Sequence, residues 1–282
     1  MRVEEIEEIG IEALKAAKRV HDELGEDGLT PVPSPNQFGE RALKADVEAE
    51  SAVIKYLRES GLPIRVISEE HGITNLSKKP KFLGILDGID GTSQFIAGRC
   101  TLRYAAMLGI ASGVNPRYED CLFSGIMEHS TNRLWIGIRG QGSFLVDPEG
   151  NRTQIHASSR TVFDDSTKIY SMSPEYNDTA IKYLPALVRK FKTQLPLSEA
   201  IALADIASGK ADLIIEATRK GNVEQAAAFR LVTEAGGVMV DITGRSIGAQ
   251  KYLQWGQKRS LLLTTAATHE LAIDFLKKLK GL

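Results

Sequence analysis

The chain of 282 residues has few cysteines and no familiar zinc-binding pattern. Cys100 and Cys121 are too few for a disulfide framework, so we expect a reducing, cytoplasmic setting. There is no Cys-x-x-Cys motif and no closely spaced pair among the five histidines. The usual sequence signatures of a zinc site are therefore absent.

Long apolar runs and a strong charge of either sign are missing as well. No window approaches about 18 uncharged apolar residues, so we expect no transmembrane helix and no membrane partner. The net charge of −1 gives no reason to expect nucleic acid as a partner. Hydrophobic residues make up 43% of the chain, which suffices for one large domain or for two smaller ones sharing a core.

The chain also lacks a nucleotide-binding loop. The Gly-rich stretch 137–142 does not have the Gly-x-Gly-x-x-Gly order and no predicted helix follows it, so we interpret it as a hairpin turn. No Walker-type motif occurs.

Hydrophobic periodicity predicts helices at both ends of the chain and a change of pattern near residue 160. Apolar residues spaced by three and four predict helices over 3–25 and 46–60, with a proline-rich loop over 29–40 between them. Strands alternate with helices in the second half, which is typical of layered α/β structure. The helices expected there are 177–191, 198–208, one beginning at Glu224, and 268–280. We therefore expect an α+β half at 1–160 and an α/β half at 161–282.

The most informative run is 84–92, Gly-Ile-Leu-Asp-Gly-Ile-Asp-Gly-Thr. An apolar strand, 82–86, is predicted to end in two carboxylates, Asp87 and Asp90. Mg²⁺ prefers oxygen ligands and takes few of them from protein when a phosphate supplies the rest. Two carboxylates three residues apart can each reach a metal ion or bridge two ions. Asp-Gly is also common in hairpins, so the run alone leaves a plain turn open.

Carboxylates recur at the predicted ends of other elements. Asp46 lies near the start of the second helix, Glu69 follows the strand 64–67, and Glu224 opens a helix. Each alone could be a helix-start charge or part of a solvated loop. Together with Asp87 and Asp90 they form the set that a phosphate site with two or three metal ions needs, although spacing alone does not show that they converge.

These motifs, taken in order, resemble the inositol monophosphatase family of Mg²⁺-dependent, lithium-sensitive phosphatases, which includes fructose-1,6-bisphosphatases. The motifs that carry the likeness are Asp46, Ser68-Glu69-Glu70, Asp87-Gly88-Ile89-Asp90-Gly91-Thr92, and Glu224 ahead of Glu234-Ala235-Gly236-Gly237. The likeness covers nearly the whole chain. It implies an α/β fold built as a layered αβαβα sandwich of the sugar phosphatase type, two or three Mg²⁺ ions as cofactor, and a homodimer.

The resemblance also implies roles for individual residues. The implied metal ligands are Glu69, Asp87, the Ile89 carbonyl, Asp90 and Glu224. Asp46 and Thr92 would orient and help deprotonate the attacking water. The implied substrate contacts are the amides of Gly91, Thr92 and Ser93 for the phosphate, Glu216 for a hydroxyl, and Ser198 in the stretch near the substrate. Arg219 and Lys220 could bind a second phosphate, or could belong to a solvated loop.

The chain departs from the family pattern at three places. Gly88 replaces the usual proline, which we expect to loosen the turn. Val223-Glu224 replaces a Trp-Asp pair, so the second metal could shift by the length of one methylene. Leu197-Ser198-Glu199 replaces Gly-Ser-Ala, which bears on the substrate class.

We therefore predict a Mg²⁺-dependent phosphatase that hydrolyses a small sugar or polyol phosphate monoester, inositol monophosphate or fructose-1,6-bisphosphate, by attack of metal-activated water. One alternative is a nucleotide 3′-phosphatase of the same superfamily, although the chain shows no clear aromatic or arginine platform for a base. The other is a non-catalytic metal- or ligand-binding protein on this fold, which the changes at Val223 and Glu224 motivate.

Overall fold

Helices and sheets alternate in five layers, αβαβα, as the sequence led us to expect. The computed structural model describes residues 2–36, 38–39, 41–99, 101–172, 193–194, 198–218, 222–256 and 261–281. An eight-stranded sheet and a five-stranded sheet face each other across a central helical layer, and each sheet carries helices on its outer face.

The described helices are α1 (Val3–Leu24), α2 (Lys44–Glu59), α3 (Thr92–Gly98), α4 (Glu199–Ala207), α5 (Val223–Glu234), α6 (Tyr252–Trp255) and α7 (His269–Lys280), with short 3₁₀ turns at Gly25–Leu29 and Tyr118–Asp120. Two of them begin at side-chain caps. The hydroxyl of Ser198 accepts a hydrogen bond from the Ile201 amide, and the hydroxyl of Thr268 accepts one from the Leu271 amide. Such caps satisfy amides that have no partner inside the helix.

The described strands are β1 (Pro31–Pro35), β2 (Arg41–Leu43), β3 (Ile64–Ser68), β4 (Gly72–Asn75), β5 (Phe82–Asp90), β6 (Ala105–Ser112), β7 (Cys121–Glu128), β8 (Leu134–Ile138), β9 (Gly142–Val146), β10 (Arg152–Ile155), β11 (Ile169–Met172), β12 (Thr193–Gln194), β13 (Leu213–Thr218), β14 (Val238–Asp241) and β15 (Leu261–Ala266). The large sheet has the order β10-β9-β8-β7-β6-β5-β3-β4 and the smaller one β12-β11-β13-β15-β14. Within the large sheet only the β3–β5 pairing is parallel among the described strands.

Each helical layer packs on its sheet through a separate apolar cluster. α1 and α2 cover the outer face of the large sheet, α4 and α5 fill the space between the sheets, and α7 covers the smaller sheet. Two strand glycines let α5 approach the large sheet closely. A Cβ on Gly137 would lie 2.3 Å from the Leu231 Cα, and one on Gly109 would lie 2.7 Å from the Ala227 Cα. This close packing fixes the position of the first turn of α5.

Most predicted elements are confirmed, with small shifts at their ends. The predicted loop over 29–40 is wrong in part, because β1 pairs with β2 in a two-stranded ribbon, where edge positions tolerate proline. The predicted turn within 137–142 is confirmed by the pairing of Ile138 with Gly142. The predicted helix 177–191 lies outside the described residues, and the division near residue 160 stays a prediction. None of the described helices is both long and apolar enough to cross a membrane.

Candidate metal and phosphate site

A bulge in β5 brings Asp87 and Asp90 to one face of the large sheet. Side chains alternate along a strand, so residues three apart normally point to opposite faces. Asp87 pairs with Met107 and Asp90 pairs with Ala105, so β5 has one residue more than β6 over this interval. The extra residue reverses the alternation. The strand continues to Asp90, and our expectation that it ends at residue 86 was wrong.

Gly88 lies inside this bulge, in close contact with α2. A Cβ at this position would lie 2.8 Å from the Asp46 carbonyl oxygen and 2.9 Å from both the amide nitrogen and the Cγ of Glu50. Our expectation that the glycine loosens a turn was wrong, because the residue is buried in a strand against helix backbone. Its missing side chain lets α2 bring Asp46 up to β5.

Asp46 and Thr92 form a hydrogen-bonded pair at this contact. Asp46 accepts a hydrogen bond from the Leu43 amide at 2.7 Å and another from the Thr92 hydroxyl at 3.2 Å. The same hydroxyl lies 3.3 Å from the Ile89 carbonyl oxygen, so its one proton has two acceptors within reach. Burial, followed by the nearby charges of other carboxylates, raises the pKa of Asp46 to about 7. Such a carboxyl is suited to exchanging a proton with water at neutral pH.

Three carboxylates from three separate elements converge next to this pair. Glu69 follows β3, Asp87 lies in β5, and Glu224 lies in the first turn of α5. One oxygen of each lies within 4.8 Å of the others. Asp87 and Glu224 are buried, and burial raises the pKa of both well above the usual range, with further contributions from neighbouring carboxylates.

The donor set fits a hard divalent cation such as Mg²⁺, which prefers carboxylate oxygens. The Glu224 Oε2 atom is buried and makes no hydrogen bond to any described residue, so an oxygen is available for a ligand. Without a cation, three close carboxylates can coexist only by taking up protons, as the raised pKa values of Asp87 and Glu224 indicate.

Two residues that hold this site together were missed in the sequence analysis. Glu50 is fully buried, and its carboxylate accepts hydrogen bonds from the amides of Glu70 and His71 and lies 2.9 Å from the His71 Nδ1 atom. Asn36 donates from its side-chain amide to Glu69 and Glu70, at 3.2 Å in each case. Glu50 lies four residues after Asp46 on α2, and this spacing, which puts both on one helix face, is the signal that could have revealed it.

The candidate phosphate-binding amides lie at the start of α3. Gly91 has a φ of +97°, and a Cβ there would lie 2.7 Å from the Ser198 Cβ, so only glycine fits. The first amides of a helix lack partners within that helix, and the helix dipole places positive charge there. The amides of Gly91, Thr92 and Ser93 therefore stand at an end of a helix that suits an anion.

The remaining predicted substrate residues have different surroundings. Glu216 is buried in β13, with burial and then the Glu224 charge raising its pKa well above the usual range. Ser198 packs against Gly91, and its hydroxyl serves as the cap of α4, 3.1 Å from the Ile201 amide. Arg219 lies outside the described residues.

Comparison with known proteins identifies the family. The model of the inositol monophosphatase family matches residues 3–279. The chain is 28% identical over 211 residues to a fructose-1,6-bisphosphatase/inositol-1-monophosphatase of Methanothermobacter thermautotrophicus, covering 72% of this chain and 71% of that protein. It is 26% identical over 243 residues to human inositol monophosphatase 2, covering 82% of this chain and 78% of that protein.

Solved structures support the same fold. The extragenic suppressor protein suhB of Bartonella henselae superposes with a TM-score of 0.76 at 19% identity, over 97% of each chain. Because the family model spans nearly the whole chain, this protein belongs to the inositol monophosphatase family and is a phosphatase of that superfamily.

Proposed function

We propose that the chain is a Mg²⁺-dependent phosphatase of small sugar or polyol phosphate monoesters. The observation that carries the proposal is the meeting of Glu69, Asp87 and Glu224 beside the Asp46–Thr92 pair. Asp90 and the Ile89 carbonyl complete the set of proposed metal ligands. Bound there, Mg²⁺ would supply the positive charge that lowers the pKa of the attacking water and offsets the charge on the leaving oxygen.

The Asp46–Thr92 pair would orient and deprotonate the water. When the Thr92 hydroxyl donates to Asp46, its lone pairs are directed away from that carboxylate and can accept a hydrogen bond from water. The Thr92 hydroxyl would then lie between the water and Asp46, and the proton that leaves the water would reach Asp46 through it. Burial is the largest cause of the raised pKa of Asp46, and a carboxylate with a raised pKa is a better proton acceptor for this step.

The amides of Gly91, Thr92 and Ser93 would bind the phosphate oxygens. They offer hydrogen-bond donors without adding full charges, and the rigid contact between Gly91 and Ser198 holds their position. Glu216 would contact a substrate hydroxyl from the far side of the site. Arg219 remains a proposed contact for a second phosphate.

Inositol monophosphate and fructose-1,6-bisphosphate are the proposed substrates. The Methanothermobacter relative is named for activity on both compounds, and a relative from Pyrococcus furiosus, 26% identical over 210 residues, is named fructose-1,6-bisphosphatase. We also propose that the protein forms a homodimer and works in the cytoplasm.

The test is Mg²⁺-dependent phosphate release from inositol 1-phosphate and fructose-1,6-bisphosphate, measured side by side. Asp87→Asn should abolish release from both. Glu149→Gln, in the exposed turn between β9 and β10, is the control for removing a carboxylate and should retain activity. Release that does not need Mg²⁺, or that survives in Asp87→Asn, would refute the metal assignment. The ratio of the two rates would show which ester the site prefers.

A further inference from the structure

A second group of carboxylates meets on the side of Glu224 that faces the smaller sheet's strand β13. One oxygen each from Glu199, Glu216 and Glu224 lies within 4.8 Å of the others. The three residues are 7%, 2% and 6% exposed. They come from the first turn of α4, from β13 and from the first turn of α5, so three elements have to pack together to form the group.

This group is rich in hydrogen-bond acceptors and poor in donors. Both carboxylate oxygens of Glu216 and the Oε2 atom of Glu224 are buried without a hydrogen bond from any described residue. The side-chain oxygen of Gln225 is also buried and accepts no hydrogen bond from a described residue. The Glu199 carboxyl is close enough to share a proton with Glu216, which would still leave the Glu224 Oε2 and the Gln225 side-chain oxygen without donors. Buried acceptors without donors are costly, and a cation satisfies several of them at once.

Hydrogen bonds hold both the Glu199 side chain and the start of α4 in place. The Gln225 side-chain amide donates to Glu199 Oε1, and the neighbouring Ala200 amide donates to the Asp90 carboxylate at 2.7 Å. The start of α4 is therefore tied directly to a residue of the first site. Partners that orient a ligand in this way are typical of metal centres.

We propose that Glu199, Glu216 and Glu224 bind a further divalent cation of the oxygen-preferring class, Mg²⁺ or Mn²⁺, distinct from the ion at Glu69 and Asp87. Glu224 belongs to both groups and would bridge them, since a carboxylate can bind two ions about 4 Å apart. Glu199 is the residue that creates the second site, because it supplies the third carboxylate beside Glu216 and Glu224.

The proposed ion shares Glu224 with the proposed phosphatase site but does not depend on the reaction. All three ligands come from the protein, so the ion should bind without phosphate or substrate. Either oxygen of Glu216 could hold the ion, and the other would remain available to a substrate hydroxyl. Ion binding can therefore be measured on the full chain independently of activity.

The experiment counts Mn²⁺ bound per chain in phosphate-free buffer, by equilibrium dialysis with electron paramagnetic resonance of the bound fraction. Glu199→Gln should bind one ion fewer than the wild type, or bind its last ion at least about tenfold more weakly. Glu69→Gln, which is altered only in the first group, should retain the ion that Glu199→Gln loses. Glu224→Gln should weaken both.

An equal count and equal affinity in wild type and Glu199→Gln would overturn the proposal and would leave a pair of carboxyls that share a proton. Glu216→Gln removes the same ion by a second route and decides the matter if Glu199→Gln does not fold. Thermal unfolding in EDTA and in Mn²⁺ shows whether Glu199→Gln folds. Its melting temperature in EDTA should equal that of the wild type, and Mn²⁺ should raise it by less than it raises that of the wild type. If the count falls as expected while phosphate release is absent, the second site stands and the proposed function fails.

Discussion

Gly88→Ala tests the closest backbone contact of the candidate site. The added Cβ would lie 2.8 Å from the Asp46 carbonyl oxygen and 2.9 Å from the Glu50 amide nitrogen, whereas ordinary contacts begin at 3.4 Å. Both neighbours are main-chain atoms of α2, so no side-chain rotation can relieve the clash. The helix and the strand have to separate by roughly 0.6 Å, a shift that overpacking by one methyl group can impose.

The expected cost is visible in both stability and rate. Overpacking of a tight core contact costs about 1–3 kcal/mol, which lowers the melting temperature by roughly 2–10 °C for a chain of this size. The shift moves Asp46 away from Thr92, whose hydrogen bond is already 3.2 Å long. Because a misplacement of about 1 Å can cost about 100-fold in rate, we expect kcat to fall about tenfold or more.

Gly84→Ala is the matched control, four residues earlier in β5. Its added Cβ would lie 3.1 Å from the Ile64 Cδ1 atom and 3.4 Å from the Val66 Cγ2 atom, the ends of side chains that can adjust. The assay is kcat and KM for phosphate release with saturating Mg²⁺, together with thermal unfolding. The reasoning is refuted if Gly88→Ala keeps wild-type kcat and melting temperature, or if Gly84→Ala loses as much activity.

Substitutions at Asp87 and Thr92 and a change of pH test the same site. Asp87→Asn should abolish turnover and leave the melting temperature in EDTA unchanged or higher, because it removes one of several buried carboxylates. Activity above a few per cent of wild type would contradict the role of Asp87 as a metal ligand. Thr92→Ala should lower kcat by about 10²–10⁴ while Thr92→Ser retains most of it, as expected for a hydroxyl that orients water; equal losses in the two variants would show that the hydroxyl is not what matters. In EDTA the melting temperature should fall from pH 6.5 to pH 8.5. Burial raises the pKa of Asp46 to about 7 and that of Glu70 to about 8, so the folded chain releases protons in this window that the unfolded chain has already lost. A melting temperature that rises across the window would contradict this reasoning.

The sequence was sufficient for most of the described helices and strands, although not for the β1–β2 pair or the end of β5, and for the order of the carboxylates along them. Periodicity located α1, α2 and α5, and the resemblance indicated which acidic residues belong together. Both kinds of signal are local, since a helix face repeats every three or four residues and a motif occupies consecutive positions. The convergence of Glu69, Asp87 and Glu224 depends on the packing of three elements, which no single stretch of sequence records.

The sequence could not supply geometry that depends on one extra residue in a strand or on one absent side chain. The bulge in β5 is one residue in length, and only the pairing of Asp87 and Asp90 with β6 reveals it. A glycine in place of proline predicts a looser turn, whereas here the space for a side chain at Gly88 is occupied by α2. Glu50 was missed because a buried carboxylate in a helix looks like any other charged residue until its partners are known.

Gly88, Glu199 and Glu224 have a common position in the structure. Gly88 determines how closely α2 carries Asp46 to the site, Glu224 belongs to both carboxylate groups, and Glu199 adds the ligand that completes the second group. Each of the three lies at the site rather than in the apolar clusters that support it. Burying several carboxylates together without a positive partner lowers stability. A bound cation would remove that cost, and the Mn²⁺ count in Glu199→Gln tests whether one binds.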